Sequence, residues 1–239
     1  VVMSKQAYDA AAGIPPVFKV TPEDHHDHLP SLRDAVVPNN ANAKRTHFEG
    51  LLPLPPGSTD KTDGAVQKLT SPTRNTPTTQ LNFDGVGDGF TGPNGTFTVD
   101  SAPPDTDGAV GATQYVSLVN SGLAVFDKTT GNVVYGPVPT NTLWSGFGGG
   151  CETNNDGDGV VIYDRAANRW VVSQFSVNTT PYLQCVAVSQ TSDATGGWNR
   201  YSFDYGSTLF PDYPKMGSWP DAYYETFNMF NGNIPSGNL

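Results

Sequence analysis

A chain of 239 residues with 26 glycines, 20 prolines and 36% hydrophobic residues has room for one large or two small domains. It is too apolar for a disordered chain and rich in turn formers, which favours an all-β fold. The formal net charge of −10 falls entirely on residues 81–239, where five Lys/Arg face fifteen Asp/Glu, while residues 1–80 carry eight of each. So acidic a region repels nucleic-acid phosphates and anionic membrane surfaces, so nucleic acid is not an expected partner. No apolar run approaches the length of about 20 residues that a membrane helix needs, so no membrane span is expected.

Residues 1–80 have no clear strand rhythm. Prolines at 15, 16, 30, 38, 53, 55, 56, 72 and 77 punctuate Ser/Thr/Asn-rich stretches, which reads as an irregular arm, a linker or a pro-segment. Residues 3–12 could form one or two helical turns. Val17-Phe18-Val20 and Phe48, Leu51, Leu52 and Leu54 offer apolar anchors by which the arm could wrap a folded domain. All four histidines, His25, His26, His28 and His47, lie in this arm. The run Glu23-Asp24-His25-His26-Asp27-His28 could bind zinc or copper adventitiously, although a solvated polar stretch explains it as well. With no histidine in residues 81–239, neither a Ser-His-Asp nor a Cys-His nucleophile system nor a three-His zinc site can be built there.

Regular structure begins near Leu81. After the glycine-spaced loop 82–90 and a strand over 96–99, the alternation of apolar and polar residues predicts strands over 109–112, 114–120, 123–127 and 132–136. A second set follows over 160–163, 170–177, 182–190 and 198–205, and a third begins over 215–219 and 222–230. An acidic or proline-flanked turn opens each set, at Asp105, Asp156 and Asp212, at spacings of 51 and 56 residues. Four short strands recurring at this period describe the blade of a β-propeller. The expected architecture is therefore an all-β propeller of four-stranded blades over residues 81–239, with about two and a half blades in view. The remaining blades would come from further sequence or from another chain.

Two hairpins echo each other. Phe126-Asp127-Lys128-Thr129-Thr130-Gly131 and Tyr163-Asp164-Arg165-Ala166-Ala167-Asn168 both run aromatic, Asp, base, two small residues, then Gly or Asn. Such an Asp caps the turn through its side chain, and Gly131 and Asn168 accept the left-handed conformation that closes it. The segments Pro103-Pro104-Asp105-Thr106-Asp107-Gly108-Ala109-Val110-Gly111, Asn141-Thr142-Leu143-Trp144-Ser145-Gly146-Phe147-Gly148, Asn168-Arg169-Trp170 and Asp212-Tyr213-Pro214-Lys215 resemble a family of large secreted bacterial β-propeller proteins, mostly uncharacterised. The resemblance covers residues 81–232. It implies an exported propeller with further blades and carries no activity or catalytic residue.

Two cysteines, Cys151 and Cys185, both lie in the acidic half. A disulfide between them would tie an acidic loop to a strand of the same blade, in keeping with an extracellular, secreted protein; the alternative is two buried thiols. No signal peptide is visible at Val1, so an exported chain would already have lost its leader. The sequons Asn94-Gly95-Thr96 and Asn178-Thr179-Thr180 matter only in a glycosylating host.

The strongest candidate site is Glu152-Thr153-Asn154-Asn155-Asp156-Gly157-Asp158. Oxygen side chains at Glu152, Asn154, Asp156 and Asp158 alternate along a bend that could bring them to one calcium ion, although the later positions do not follow an EF-hand. Asp105 and Asp107 form a weaker version. For ligand binding, Trp144, Trp219, Tyr213 and Asp221 sit at or near turns, where aromatic rings can stack on sugar faces. Trp144, in a glycine-rich setting, is the one expected to be most exposed, whereas Trp170 and Phe175 are expected to pack between blades. The expected function is a secreted binding or scaffold module for glycans or other surface proteins, stabilised by the disulfide and by calcium. One alternative is a carbohydrate-active hydrolase using two carboxylates among Glu152, Asp212, Asp221 and Glu225. Another is a structural subunit of an extracellular assembly. With only Arg165, Arg169 and Arg200 in residues 81–239, a sialidase that clamps its substrate carboxylate with several arginines is disfavoured.

Overall fold

The computed structural model describes residues 23–39, 78–99, 103–231 and 234–238. The expected helical turn over 3–12, the apolar anchors at 17–20 and 48–54, and His47 lie outside these residues. The described chain is mostly β, in antiparallel sheets, none of them closed on itself. Its strands are β1 (Glu23–Leu29), β2 (Thr91–Gly92), β3 (Gly95–Thr96), β4 (Asp107–Val110), β5 (Gln114–Val119), β6 (Gly122–Asp127), β7 (Val133–Pro139), β8 (Val160–Asp164), β9 (Arg169–Ser176), β10 (Leu183–Ser189), β11 (Trp198–Asp204), β12 (Phe210–Trp219), β13 (Ala222–Asn231) and β14 (Ile234–Asn238).

The first large sheet is a meander in the order β4-β5-β6-β7, and the second has the order β1-β11-β10-β9-β8. The third is β12-β13-β14, and β2 and β3 form a small ribbon. The opening strands are spatial neighbours, β4 beside β8 and β8 beside β12, so the three sheets meet along these edges. Both hairpin echoes are turns of the expected kind. The Asp127 Oδ1 accepts from the Thr129 and Thr130 N–H groups, and the Asp164 Oδ1 from those of Ala166 and Ala167. Gly131 and Asn168 have φ of 74° and 55°, as a left-handed closing residue requires.

The first sheet is covered on both faces, which is why β5 and β6 read as nearly continuous apolar runs. Val116, Leu118, Leu123 and Val125 face the second sheet and join Trp170, Val172 and Cys185 in one core. Ala124 and Phe126 face the other way, against Phe83, Phe90 and Phe97 of the segment that precedes the sheet. Trp170, fully buried, marks the join between the sheets: a Cβ on Gly111 would lie 2.5 Å from its Cζ2, so only glycine admits the ring. The Trp170 indole N–H donates to the Ser192 carbonyl at 2.9 Å. Trp170 and Phe175 are both buried.

Two features depart from the strand pattern read in the sequence. The arm is not wholly irregular, because β1 pairs antiparallel with β11, placing Asp27 opposite Arg200 and Leu29 opposite Trp198. Six consecutive charged or ionisable residues hid this strand, since a solvated edge strand need not show apolar alternation. Its hold comes from Arg200, 3% exposed, whose Nε donates to Asp27 Oδ1 at 2.7 Å and whose Nη1 donates to the Leu143 and Ser145 carbonyls. Beyond β1, Leu32 is buried in the main core and its N–H donates to the Gly196 carbonyl. Asp193 then joins three segments, accepting from Arg33, from Gln114 of β5 and from Thr195. Burial alone would raise the Asp193 carboxyl, but the hydrogen bonds from Thr195, Gln114 and Arg33 outweigh it and hold it down to about 2.

The third sheet also differs, because β12 starts at Phe210 rather than 215 and runs through Pro211 and Pro214. It pairs only with β13, so its edge side needs no N–H donor from proline, and the register shift between Asp212 and Lys215 absorbs the irregularity.

Candidate functional site

The acidic turns serve the fold. Glu152 lies in α1 (Gly149–Thr153) and accepts from the Gly146 and Gly148 N–H groups, each at 2.8 Å, closing the glycine loop. Gly146 and Gly148 have φ of 76° and 87°, which explains two of the glycines there. Asn154 donates to Ser176 Oγ at 2.8 Å and to Thr179 Oγ1 at 2.7 Å. Asp156 accepts from the Val177 and Asn178 N–H groups and from the Asn178 amide. Asp158 is turned elsewhere, with its Oδ2 on the Tyr213 N–H at 3.2 Å and its own N–H donating to Asn120 Oδ1 at 2.7 Å. The four oxygen side chains therefore do not converge on one point. Among the described residues no group of three or more His, Cys, Asp or Glu is placed to hold a metal ion.

These bonds form a repeated device. Asp105 accepts from the Asn120 amide at 2.8 Å, and Asp156 stands in the same relation to Asn178. Each pair ties the turn before a sheet's first strand to the end of its second. Asp107 Oδ2 then accepts from the Val161 N–H of the next sheet at 2.8 Å, as Asp158 does from Tyr213. One carboxylate closes each turn, and the one two residues on latches the turn to the following sheet. The sequence signal was present in Val119-Asn120, Val177-Asn178 and Phe230-Asn231, an apolar residue and Asn ending the second strand of each set.

Cys151 and Cys185 form a disulfide with Cα atoms 5.8 Å apart, as expected, linking α1 to β10. The aromatic candidates divide. Trp144 is fully buried, not exposed: it ends a 3-10 turn, Thr140–Trp144, whose residues all enter the core, so it is no ligand platform. Trp219 is 72% exposed and Tyr213 44% exposed. Tyr213 is covered on one side by the Lys215 ammonium, 3.4 Å from its ring centre. Asp221 is exposed and accepts from the Tyr224 hydroxyl at 2.8 Å. The structure does not gather Trp144, Trp219, Tyr213 and Asp221 into one site.

Two cavities lie along the sheet junctions. The smaller, about 300 Å³, opens where β4, β8 and β12 meet and is lined by Asp105, Asp107, Asp158, Tyr213 and Lys215. Its carboxylates are the latches just described. The larger, about 530 Å³, separates the second sheet from the third. β10 contributes Gln184, Val186 and Val188, and β11 contributes Asn199, Tyr201 and Phe203, with Tyr205 just beyond. β13 supplies Tyr223, Tyr224, Glu225 and Phe227 from the other side, and Glu23 of β1 reaches the rim. No Lys or Arg lines it among the described residues.

Glu225 is the polar focus of this larger cavity. Its Oε1 accepts from Ser173 Oγ at 2.6 Å and from Gln184 Nε2 at 3.0 Å. Burial pushes its carboxyl up to about 7, against the pull of those two hydrogen bonds. Burial, and after it the Glu225 charge, raises the Tyr205 hydroxyl. Tyr205 meets Phe227 edge-on, with ring centres 5.5 Å apart. Tyr223 donates to Asp164 Oδ2 at 3.0 Å, and burial followed by that bond pushes its hydroxyl up to about 12. Gln184 is 1% exposed, and its Oε1 has no hydrogen-bond partner among the described residues.

Glu225 was visible in the sequence as an available carboxylate. Gln184 and the β11 residues were not singled out. Their signal is the alternation Asn199, Tyr201, Phe203, Tyr205, which puts one polar and three aromatic side chains on a single face of an extended strand. No protein-family model, curated protein sequence or solved structure matches the chain.

Proposed function

We propose that this chain is part of a secreted β-propeller that acts as a binding module, with a glycan held in the cavity between its second and third sheets. The observation that carries the reading is that cavity: about 530 Å³, lined by four tyrosines, two phenylalanines, two side-chain amides and two carboxyls. Ligand sites of that size typically combine apolar and aromatic walls with a few placed polar groups. Tyrosine faces suit the apolar side of a sugar ring, and the amides suit its hydroxyls. Propeller architecture is supported by three antiparallel meanders meeting at their first strands and fastened by the same Asp latches. The disulfide fits an oxidising, extracellular compartment. No described helix is long and apolar enough to cross a membrane. Calcium draws less support, because the carboxylates proposed for it already accept backbone and amide N–H groups. Immobilised protein run against a panel of neutral, acidic and amino saccharides tests the binding reading. Retention of at least one class, lost on Tyr201→Ala, supports it, and elution of every class with the void contradicts it.

A second reading has one observation in its favour. A carboxyl pushed up to about 7 in an apolar site is what a general acid of glycoside hydrolysis requires. Its partner would have to be Glu23, the other carboxylate lining the cavity. Release of reducing sugar that disappears in Glu225→Gln would establish this reading over simple binding.

A further inference from the structure

We infer that Asp164 is a positioning residue of the cavity between the second and third sheets: the hydrogen bond it accepts from the Tyr223 hydroxyl fixes that ring as an end wall on which the apolar face of a sugar stacks. The inference rests on the binding reading above and specifies how one end of the site recognises its ligand.

The strand registers place Asp164 in line with the cavity wall. Ile162, Val171, Val188 and Asn199 lie opposite one another in one row across the second sheet. Two residues along each strand, Ser173, Val186 and Tyr201 make the next row, and Gln184 and Phe203 belong to the one after. These rows carry the second sheet's side of the cavity. Asp164 and Arg169 continue the series at the Asn199 end. Side chains two apart on a strand share a face, so Asp164 stands on the cavity face, one row beyond Asn199.

β13 crosses that face. Tyr223, Glu225 and Phe227 alternate along it on one side, and each meets the second sheet or its continuation. Phe227 packs on Tyr205, Glu225 accepts from Ser173 and Gln184, and the Tyr223 hydroxyl donates to Asp164 Oδ2 at 3.0 Å. The Tyr223 ring is thus held at both ends, through its Cβ by β13 and through its hydroxyl by the end of β8. It bounds the cavity at the Asn199 end, as Tyr205 and Phe227 do at the other.

The turn that Asp164 caps does not require this bond. Asp164 accepts from the Ala166 and Ala167 N–H groups through Oδ1, which leaves Oδ2 for Tyr223. Asp127 caps the echoing hairpin of the first sheet through its own Oδ1, and its hydrogen bonds among the described residues stay within that hairpin. With its proton engaged on Asp164, the Tyr223 hydroxyl has no donor left for a ligand, and the ring itself is what it offers. A ring already fixed loses little freedom when a sugar face stacks on it, so more of the contact energy appears as affinity.

Calorimetric titration of the full chain with cellobiose, glucuronic acid and glucosamine, one saccharide from each class of the panel above, tests this. Each that binds should lose about three- to tenfold in affinity on Tyr223→Phe, which keeps the ring and the turn and removes only the bond. Asp164→Ala should give the same loss, and the double variant no more than either alone, because the same bond is broken in all three. Asp127→Ala removes the matching cap from the first sheet and should leave affinity at the parent value. A parent-like affinity in Tyr223→Phe, or losses that multiply in the double variant, would overturn the inference and leave the binding reading standing. An equal loss on Asp127→Ala would assign the effect of Asp164 to its turn and overturn the inference likewise. If none of the three saccharides binds, the inference falls, and if the panel also shows no retention, the binding reading falls with it.

Discussion

The junction between the first and second sheets and the junction between the second and third use the same latch but enclose different interiors. In the first, Trp170 fills the space against Gly111, and aliphatic side chains from both sheets complete the core. In the second, tyrosines, a buried amide and an ionisable carboxyl surround a cavity. Both are fastened along the neighbouring edge strands by an Asp that accepts from the next sheet's backbone, Asp107 to Val161 and Asp158 to Tyr213. Attachment and filling are therefore separate properties of this fold. A sheet can be held in place at one edge while the rest of its face stays available for another task.

The comparison can be broken at its most tightly packed point. Trp170→Ala should cost about 3–5 kcal/mol in chemical denaturation, the range for truncating a fully buried aromatic. A loss below about 1 kcal/mol would show that the first junction is not the packed one. Removing the disulfide with Cys151→Ser and Cys185→Ser should cost about 3–4 kcal/mol, the loop-closure value for a sequence separation of 34 residues. Asp158→Ala should cost about 2 kcal/mol, because it leaves the Tyr213 N–H without its acceptor. A neutral outcome would mean that the latch contributes nothing to the second junction.

Glu225→Gln is expected to act in the opposite direction. A carboxyl whose folded pKa is raised binds its proton more tightly in the folded state, so its contribution to stability is full below about 4.5 and is lost as pH rises through about 7. The variant should be more stable than the parent at pH 8 by about 1–3 kcal/mol and should lose the decline between pH 4.5 and 7. Parallel pH profiles for the two proteins would mean that Glu225 is not desolvated. Asp193 supplies the reverse slope at lower pH. Its lowered carboxyl contributes stability that is present above about 3.8 and lost as pH falls through about 2. The smallest expected effect is that of a chelator, which should leave the thermal midpoint unchanged because the acidic turns are already satisfied. An upward shift on adding calcium would restore a cation to them.

The strands of the first two sheets were legible because each is framed by turn chemistry and shows clear apolar periodicity. Asp127, Gly131, Asp164 and Asn168 disclosed their hairpins directly. β1 was illegible because its side chains are charged and what holds it is a long-range partner, Arg200, which lies 173 residues away. Trp144 was misjudged because the glycines after it suggested an exposed loop, while the 3-10 turn before it carries the ring inward. The acidic loops looked like a calcium site because alternating oxygens are equally what a turn needs to bind backbone N–H groups. The composition of those loops does not distinguish the two uses; the partners in space do. The larger cavity is built from the facing strands of two sheets, with Glu23 reaching its rim from far upstream, and only the alternation within β11 hinted at it.

The central claim is that the second junction encloses a desolvated carboxyl. Following the side-chain carboxyl carbon of Glu225 by NMR through a pH titration tests it most directly. The expected result is a midpoint near 7. A midpoint near 4.5 would contradict it.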